Sequence, residues 1–244
     1  MPARLAGAIR IPREPSVVGM LVVSAASGLV AARPPLESLV LAVAVLVLHM
    51  LTFDFAMALV RSGRHPASLA IALVNGSPYI IAYMLGYMSA WPLGAAGLIL
   101  ALYFLIARAR GWSSPQAYIA GAAIPVLPAL LLPALATGAP GEKAVVLWLL
   151  LTLYSVSTAA YVESRLEFRR LDPRIPLATW IPSWILVAWN SLLLIALVEP
   201  TAKLLANLKL NVRVRTLEEI RKLGRRELVR LIVFVTLAVV SVAP

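Results

Sequence analysis

The chain contains no cysteine. That excludes disulfide bridges, thiolate nucleophiles and cysteine-ligated metal. Amides are nearly as scarce, with four asparagines and one glutamine in 244 residues. Scarcity of labile side chains fits a thermophile, although a membrane composition depletes amides too. Only two histidines occur, His49 inside an apolar run and His65 in a polar turn, so no paired-histidine haem site is expected within this chain. The two aspartates, Asp54 and Asp172, stand alone, whereas magnesium-diphosphate chemistry needs clustered carboxylates. No Gly-x-x-x-x-Gly-Lys-Ser/Thr, His-Glu-x-x-His or Gly-x-Ser-x-Gly motif is present. No catalytic set, metal or cofactor is therefore expected.

Charge is also sparse. Charged residues make up 14% of the chain against about 25% in an average soluble domain, while 61% is hydrophobic. Several apolar runs reach the roughly 20 residues that a helix needs to cross about 30 Å of hydrocarbon. The expected fold is all-α: a polytopic transmembrane helical bundle of eight or nine spans, with residues 1–244 forming a single integral membrane domain. Proline, glycine and charge bound runs at about 16–32, 36–60, 66–89, 92–108, 115–137, 143–168, 176–198 and 227–243. The first reads as an uncleaved span, because no small-residue cleavage site follows it. The fifth contains Pro125, Pro128 and Pro133 and should be kinked or broken.

The net charge of +11 is placed by side. If every run crosses once, Arg4, Arg10, Arg13, Arg61, Arg64, Arg108, Arg110, Arg165, Arg169, Arg170 and Arg174 share one face of the membrane, and only Arg33 and Lys143 fall on the other. The basic face is expected to be cytoplasmic, with the N-terminus on it, in a multi-pass cell-membrane protein. The bilayer and its anionic headgroups explain the basic loops, and no nucleic-acid motif is present. Single crossings would, however, put the basic stretch 199–226 outside. A hairpin over 176–211 turning at Glu199-Pro200 removes that conflict. A basic amphipathic connector is then expected at about 200–226, opened by Thr216 and Glu219 in capping-box spacing.

Polar groups inside the apolar runs are the candidate sites. Asp54 lies about 10 Å into its helix counting back from Arg61, and Asn75 lies at a comparable depth in the next. Asp54, Asn75, Arg61, Tyr79, Tyr83 and Asn190 are the candidates for a polar pocket, used either as a structural clamp or as a site. Tyr79, Tyr83 and Tyr87 form an i, i+4, i+8 stripe that suits packing and interfacial anchoring, and Trp180, Trp184 and Trp189 suit an aromatic belt. Glu163 and Glu167, with Arg165 and Arg169, form a candidate cytoplasmic charge network, either a cation or acid–base site or an ion-pair cluster at a helix end.

Three stretches carry a resemblance. "IRIPREPSVVGM", "AAYVESRLEFRRLDP" and "RKLGRREL" resemble, in order, motifs of the YwiC-like polytopic membrane proteins, the last through Gly224 and Glu227. The family's His-Gly is replaced here by Pro15-Ser16, so no role of that histidine carries over. The resemblance implies an architecture without an assigned activity. Size and basic loops also resemble the UbiA-type intramembrane prenyltransferases, whose paired Asp-rich motifs are missing. Two functions follow: a non-enzymatic component (small-solute transporter, or subunit or assembly factor of a respiratory or other membrane complex), or a prenyl-lipid or quinone-binding enzyme.

Overall fold

The structure, a computed structural model, describes the backbone of residues 15–61, 65–169, 171–210 and 212–242, and the side chains within those ranges except residues 15, 16, 54 and 57–69. All regular elements among the described residues are helical, in accord with a lipid-type sequence whose backbone groups must pair within each segment. The α-helices are α1 (Pro15–Ala32), α2 (Leu36–Arg61), α3 (His65–Met84), α4 (Trp91–Arg110), α5 (Pro115–Gly121), α6 (Pro128–Thr137), α7 (Glu142–Arg165), α8 (Ile175–Trp180), α9 (Leu193–Leu210) and α10 (Leu217–Val242). A 3₁₀ turn, Ile124–Val126, joins α5 to α6, and a 3₁₀ segment, Ile181–Ala188, extends α8.

Cross-contacts sort the connections into two ends. At one, Arg169 donates to the Ser113 carbonyl at 2.6 Å, and Val214 N–H donates to the Arg165 carbonyl at 2.8 Å. A parallel bridge pairs Leu166 with Val214 there. At the other end Ser89 N–H donates to Gly138 at 2.7 Å, Asn190 donates to the Ser241 carbonyl at 2.7 Å, and the Trp189 indole donates to Glu142. Arg108, Arg110, Arg165, Arg169, Arg174 and Lys209 thus gather at the first, basic end. Arg4, Arg10, Arg13, Arg64 and Arg170 lie outside the described residues, as does the Arg61 side chain.

The expectation of eight or nine apolar spans is corrected in one respect. Among the described residues, four segments are long and apolar enough to cross a membrane: Leu36–Phe53, Trp91–Arg110, Pro115–Thr137 and Glu142–Arg165. Val17–Ala32, Ala70–Met84 and Ile175–Ala188 are apolar but shorter. Residues 176–198 are not one rod. The chain turns at 189–192, so α8 with its 3₁₀ extension and α9 make a hairpin. Its limbs are clamped by Thr201, whose hydroxyl accepts from the indoles of Trp180 (2.8 Å) and Trp184 (3.2 Å). The expected turn at Glu199-Pro200 is wrong. Pro200 lies inside α9, buried, and Asn190 makes the turn by accepting the Leu192 N–H at 2.9 Å. The hairpin returns Lys209 and residues 212–215 to the basic end, which removes the charge conflict.

The 115–137 rod breaks where its prolines remove donors, and the freed carbonyls are captured. Ser24 of α1 donates to Pro125 O at 2.9 Å, and Ser155 of α7 donates to Ala122 O at 2.7 Å. Gly28 lets α1 approach this rod, since a Cβ there would stand 2.3 Å from the Ala129 carbonyl oxygen. Thr216 and Glu219 form the reciprocal capping box. Thr216 Oγ1 accepts the Glu219 N–H at 3.2 Å, and Glu219 accepts the N–H groups of Arg215 (2.9 Å) and Thr216 (3.1 Å). From that start α10 runs unbroken to Val242, so the basic stretch and the apolar stretch after it are one helix.

Candidate functional site

Asn75 of α3 meets α2 through His49 and Thr52. His49 Nδ1 lies 2.6 Å from Asn75 Oδ1, and His49 Nε2 lies 2.7 Å from the Tyr79 hydroxyl. Asn75 Nδ2 donates to Ile71 O at 2.9 Å, which turns the amide oxygen toward the ring. His49 Nδ1 therefore carries the proton, and in the neutral ring Nε2 accepts from Tyr79. Thr52 Oγ1 stands 2.8 Å from the same amide oxygen. The Asp54 and Arg61 side chains lie outside the described residues. The tyrosine stripe divides: Tyr79 is buried, whereas Tyr83 and Tyr87 face outward. Asn190 belongs to the hairpin turn at the far end, so it is no part of this cluster.

Glu163 and Glu167 do not share a face. Helix α7 ends at Arg165 and Leu166 is extended, so the i, i+4 register is lost between them. Glu163 is buried 3.2 Å from Arg169. Glu167 is exposed and pairs with Arg215 at 2.8 Å. Arg165 donates to the Tyr161 hydroxyl at 2.7 Å and to Val212 O at 3.0 Å. Arg165 and Glu167 tie the α7 end to the 212–215 segment and the Glu163–Arg169 pair reaches Ser113, an ion-pair cluster rather than a paired-acid site.

The most deeply buried ion pair among the described residues lies elsewhere. On α9 the inward positions are Leu193, Ala196, Leu197, Pro200, Lys203, Leu204 and Asn207; on α10 they include Leu223, Glu227, Leu231 and Phe234. Helical spacing thus places one lysine and one glutamate on core faces. Lys203 Nζ donates to Glu227 Oε2 at 2.8 Å, with side-chain exposures of 4% and 7%. The ammonium also lies over the rings of Tyr161 (4.9 Å) and Tyr154 (5.4 Å) and 3.5 Å from Thr158 Oγ1, all on α7. Tyr154 in turn stacks on Phe234 at 4.1 Å, with Trp180 edge-on to both. Glu227 Oε1 accepts from Arg230 at 2.6 Å, and Arg230 Nε reaches Glu199 Oε1 at 3.1 Å. Lys203, Glu227, Arg230 and Glu199 form a chain of alternating sign and zero net charge, running from the core to half-exposed Glu199.

A buried ammonium alone is prohibitively costly, and here a carboxylate and two π-faces compensate it. The pair ties α9 to α10 beside α7. Sequence reasoning missed it. In the sequence Lys203 counts only as part of the basic stretch 199–226, and Glu227 enters only through the family resemblance. The missed signal was a lysine three residues after the buried Pro200 and seven after the buried Ala196, and a glutamate at i±4 from the buried Leu223 and Leu231. No cluster of three or more His, Asp or Glu suited to a metal occurs among the described residues. The chain matches no family model, no curated protein and no solved structure.

Proposed function

We propose that the protein is a multi-pass cell-membrane protein of nine crossings, with its N-terminus and basic loops cytoplasmic, acting as a proton- or cation-coupled carrier of a small solute. This is a non-enzymatic role, and it could be exercised within a larger membrane complex. The reading draws on the nine rods that run between the two ends, counting α5–α6 and α8 with its 3₁₀ extension as one each. It also draws on the layout that resembles YwiC-like proteins, in which Glu227 is one of the matching residues.

The observation that carries the proposal is the Lys203–Glu227 pair, joined through Arg230 to the surface. Ionisable groups inside a membrane domain mark proton and ion pathways. The test is proton movement in proteoliposomes, read with an internal pH dye while amino acids, sugars and inorganic ions are presented outside. Wild-type protein should acidify or alkalinise the lumen with one solute class. The double variant Lys203→Met/Glu227→Leu should fold and move no protons. A double variant with full coupling, or a wild type silent to every class, would sink the proposal.

The second reading, a quinone or prenyl-lipid binder resembling UbiA-type enzymes without their Asp-rich motifs, is favoured by one observation. His49, held by Asn75 against Tyr79, offers a hydrogen-bonding pair within reach of the surface between α2 and α3. Mass spectrometry of lipids extracted from purified protein tests it. Quinone retained by wild type and lost in Tyr79→Phe and His49→Leu would favour it over transport.

A further inference from the structure

Helix α10 carries a second feature, separate from the buried pair. Lys222, Arg225, Arg226, Val229 and Arg230 line an open groove of about 620 Å³ on its outer side. Arg230 is committed to Glu227 and Glu199. Lys222, Arg225 and Arg226 make no ion pair among the described residues, so three cationic heads converge without an acid. The same helix face then changes character. Val229, Val233 and Val240, which follow one another up this face, are 61%, 48% and 64% exposed. Thr236 lies among them, but its hydroxyl donates to Ile232 O at 2.9 Å and leaves no unmet donor. From Val229 to Val240 is about 16 Å at 1.5 Å per residue. That is close to the hydrocarbon depth of one leaflet, about 15 Å.

We infer that this face binds an anionic phospholipid, its phosphate headgroup held by Lys222, Arg225 and Arg226 and an acyl chain lying along Val229, Val233 and Val240. The basic end explains a phosphate, and the valines explain why that phosphate belongs to a lipid. A free anion would have no use for them, and a nucleic acid would need charge to continue along the face. A single arginine fork already matches a phosphodiester, and three cations favour a headgroup with net negative charge. The inference rests on the membrane reading above but not on transport.

The test uses purified, delipidated protein in neutral detergent, with lipid retention read by native mass spectrometry and stability by thermal melting. The probes are phosphatidylglycerol, phosphatidylcholine with the same acyl chains, and inorganic phosphate. Phosphatidylglycerol should be retained and raise the Tm, and neither other probe should match it. The variant Lys222→Gln/Arg225→Gln/Arg226→Gln should keep its lipid-free Tm and lose about a hundredfold in phosphatidylglycerol affinity, the change expected of three basic contacts. Val229→Asp should weaken phosphatidylglycerol while leaving the lipid-free Tm in place. Equal retention of the two lipids would overturn the inference and leave the membrane reading standing. So would phosphate matching phosphatidylglycerol, retention of neither lipid, or a triple variant that binds like wild type.

Discussion

Lys203 and Glu227 meet at 2.8 Å with both side chains buried. Breaking such a pair from one side leaves a charge stranded, at a cost of about 3–5 kcal/mol, while replacing both partners by apolar groups of similar size is often neutral or stabilising. Lys203→Met and Glu227→Leu should each lower the Tm sharply in detergent, and the double variant should recover most of the loss. Additive losses in that thermodynamic cycle would show that the two charges do not depend on each other. Gly28 is the opposite case, important for what it lacks. A methyl group there would meet a backbone carbonyl, which cannot swing aside as a side chain would. Gly28→Ala should cost about 1–3 kcal/mol of stability through overpacking, and Gly94→Ala, where a Cβ meets nothing within 4 Å, should serve as the near-neutral comparison.

At the scale of the element, α10 begins on a box whose strength depends on charge. Backbone N–H groups of Arg215 and Thr216, bonded to the carboxylate, hold Glu219 below the usual glutamate range. A carboxylate with a depressed folded-state pKa contributes stability that is fully present above its unfolded pKa. The contribution is lost as pH falls through the lowered, folded value. Amide exchange at Arg215 and Thr216, corrected for intrinsic rates, should therefore accelerate on acidification through and below the ordinary glutamate range. Glu219→Gln should make that protection independent of pH. Protection that does not change with pH in wild type would mean that the carboxylate is not the acceptor.

This box was legible in the sequence, as was the break at Pro125–Pro128, because both are set by residues within one or two turns of each other. Partner choice across helices was not. Asp54, whose side chain lies outside the described residues, is the expected pocket residue of α2, and the α2 residue that meets Asn75, His49, was not foreseen. Which residue of α2 meets α3 depends on the rotation of the two helices, and the nearly uniform apolar surface of α2 does not encode that rotation. The hairpin limbs were recognised but the turn was misplaced. A proline after an acid reads as a stop, whereas Pro200 sits within α9 and Asn190, two residues beyond the 3₁₀ segment, makes the turn.

For the molecule as a whole, the absence of cysteine is an experimental advantage. Single cysteines at Ser113 and Ser191, both exposed and at opposite ends of the bundle, would be the only thiols present. In intact cells a membrane-impermeant maleimide should label Ser191→Cys, and Ser113→Cys should react only after permeabilisation. Labelling of both from outside, or the reverse pattern, would remove the proposed orientation. The all-helical architecture was readable from composition and run length. The convergence of α7, α9 and α10 on one lysine was not, since it depends on the bridge between Leu166 and Val214 that brings the hairpin back to where it began.

That return has a consequence for how the chain is made. Synthesis proceeds from the N-terminus, so Lys203 is delivered to the membrane before Glu227, which follows it by 24 residues. Until α10 arrives, the α8–α9 hairpin carries an ammonium with tyrosine faces and a threonine for company but no counter-ion. The nascent hairpin thus passes through a state that the finished protein never occupies. Release of the ribosome before residue 227 should yield a product recognised by membrane quality control and degraded, while the same truncation carrying Lys203→Met should persist. The last helix would then act as the proofreading step of biogenesis, because only a chain translated past Glu227 can bury its lysine as a pair.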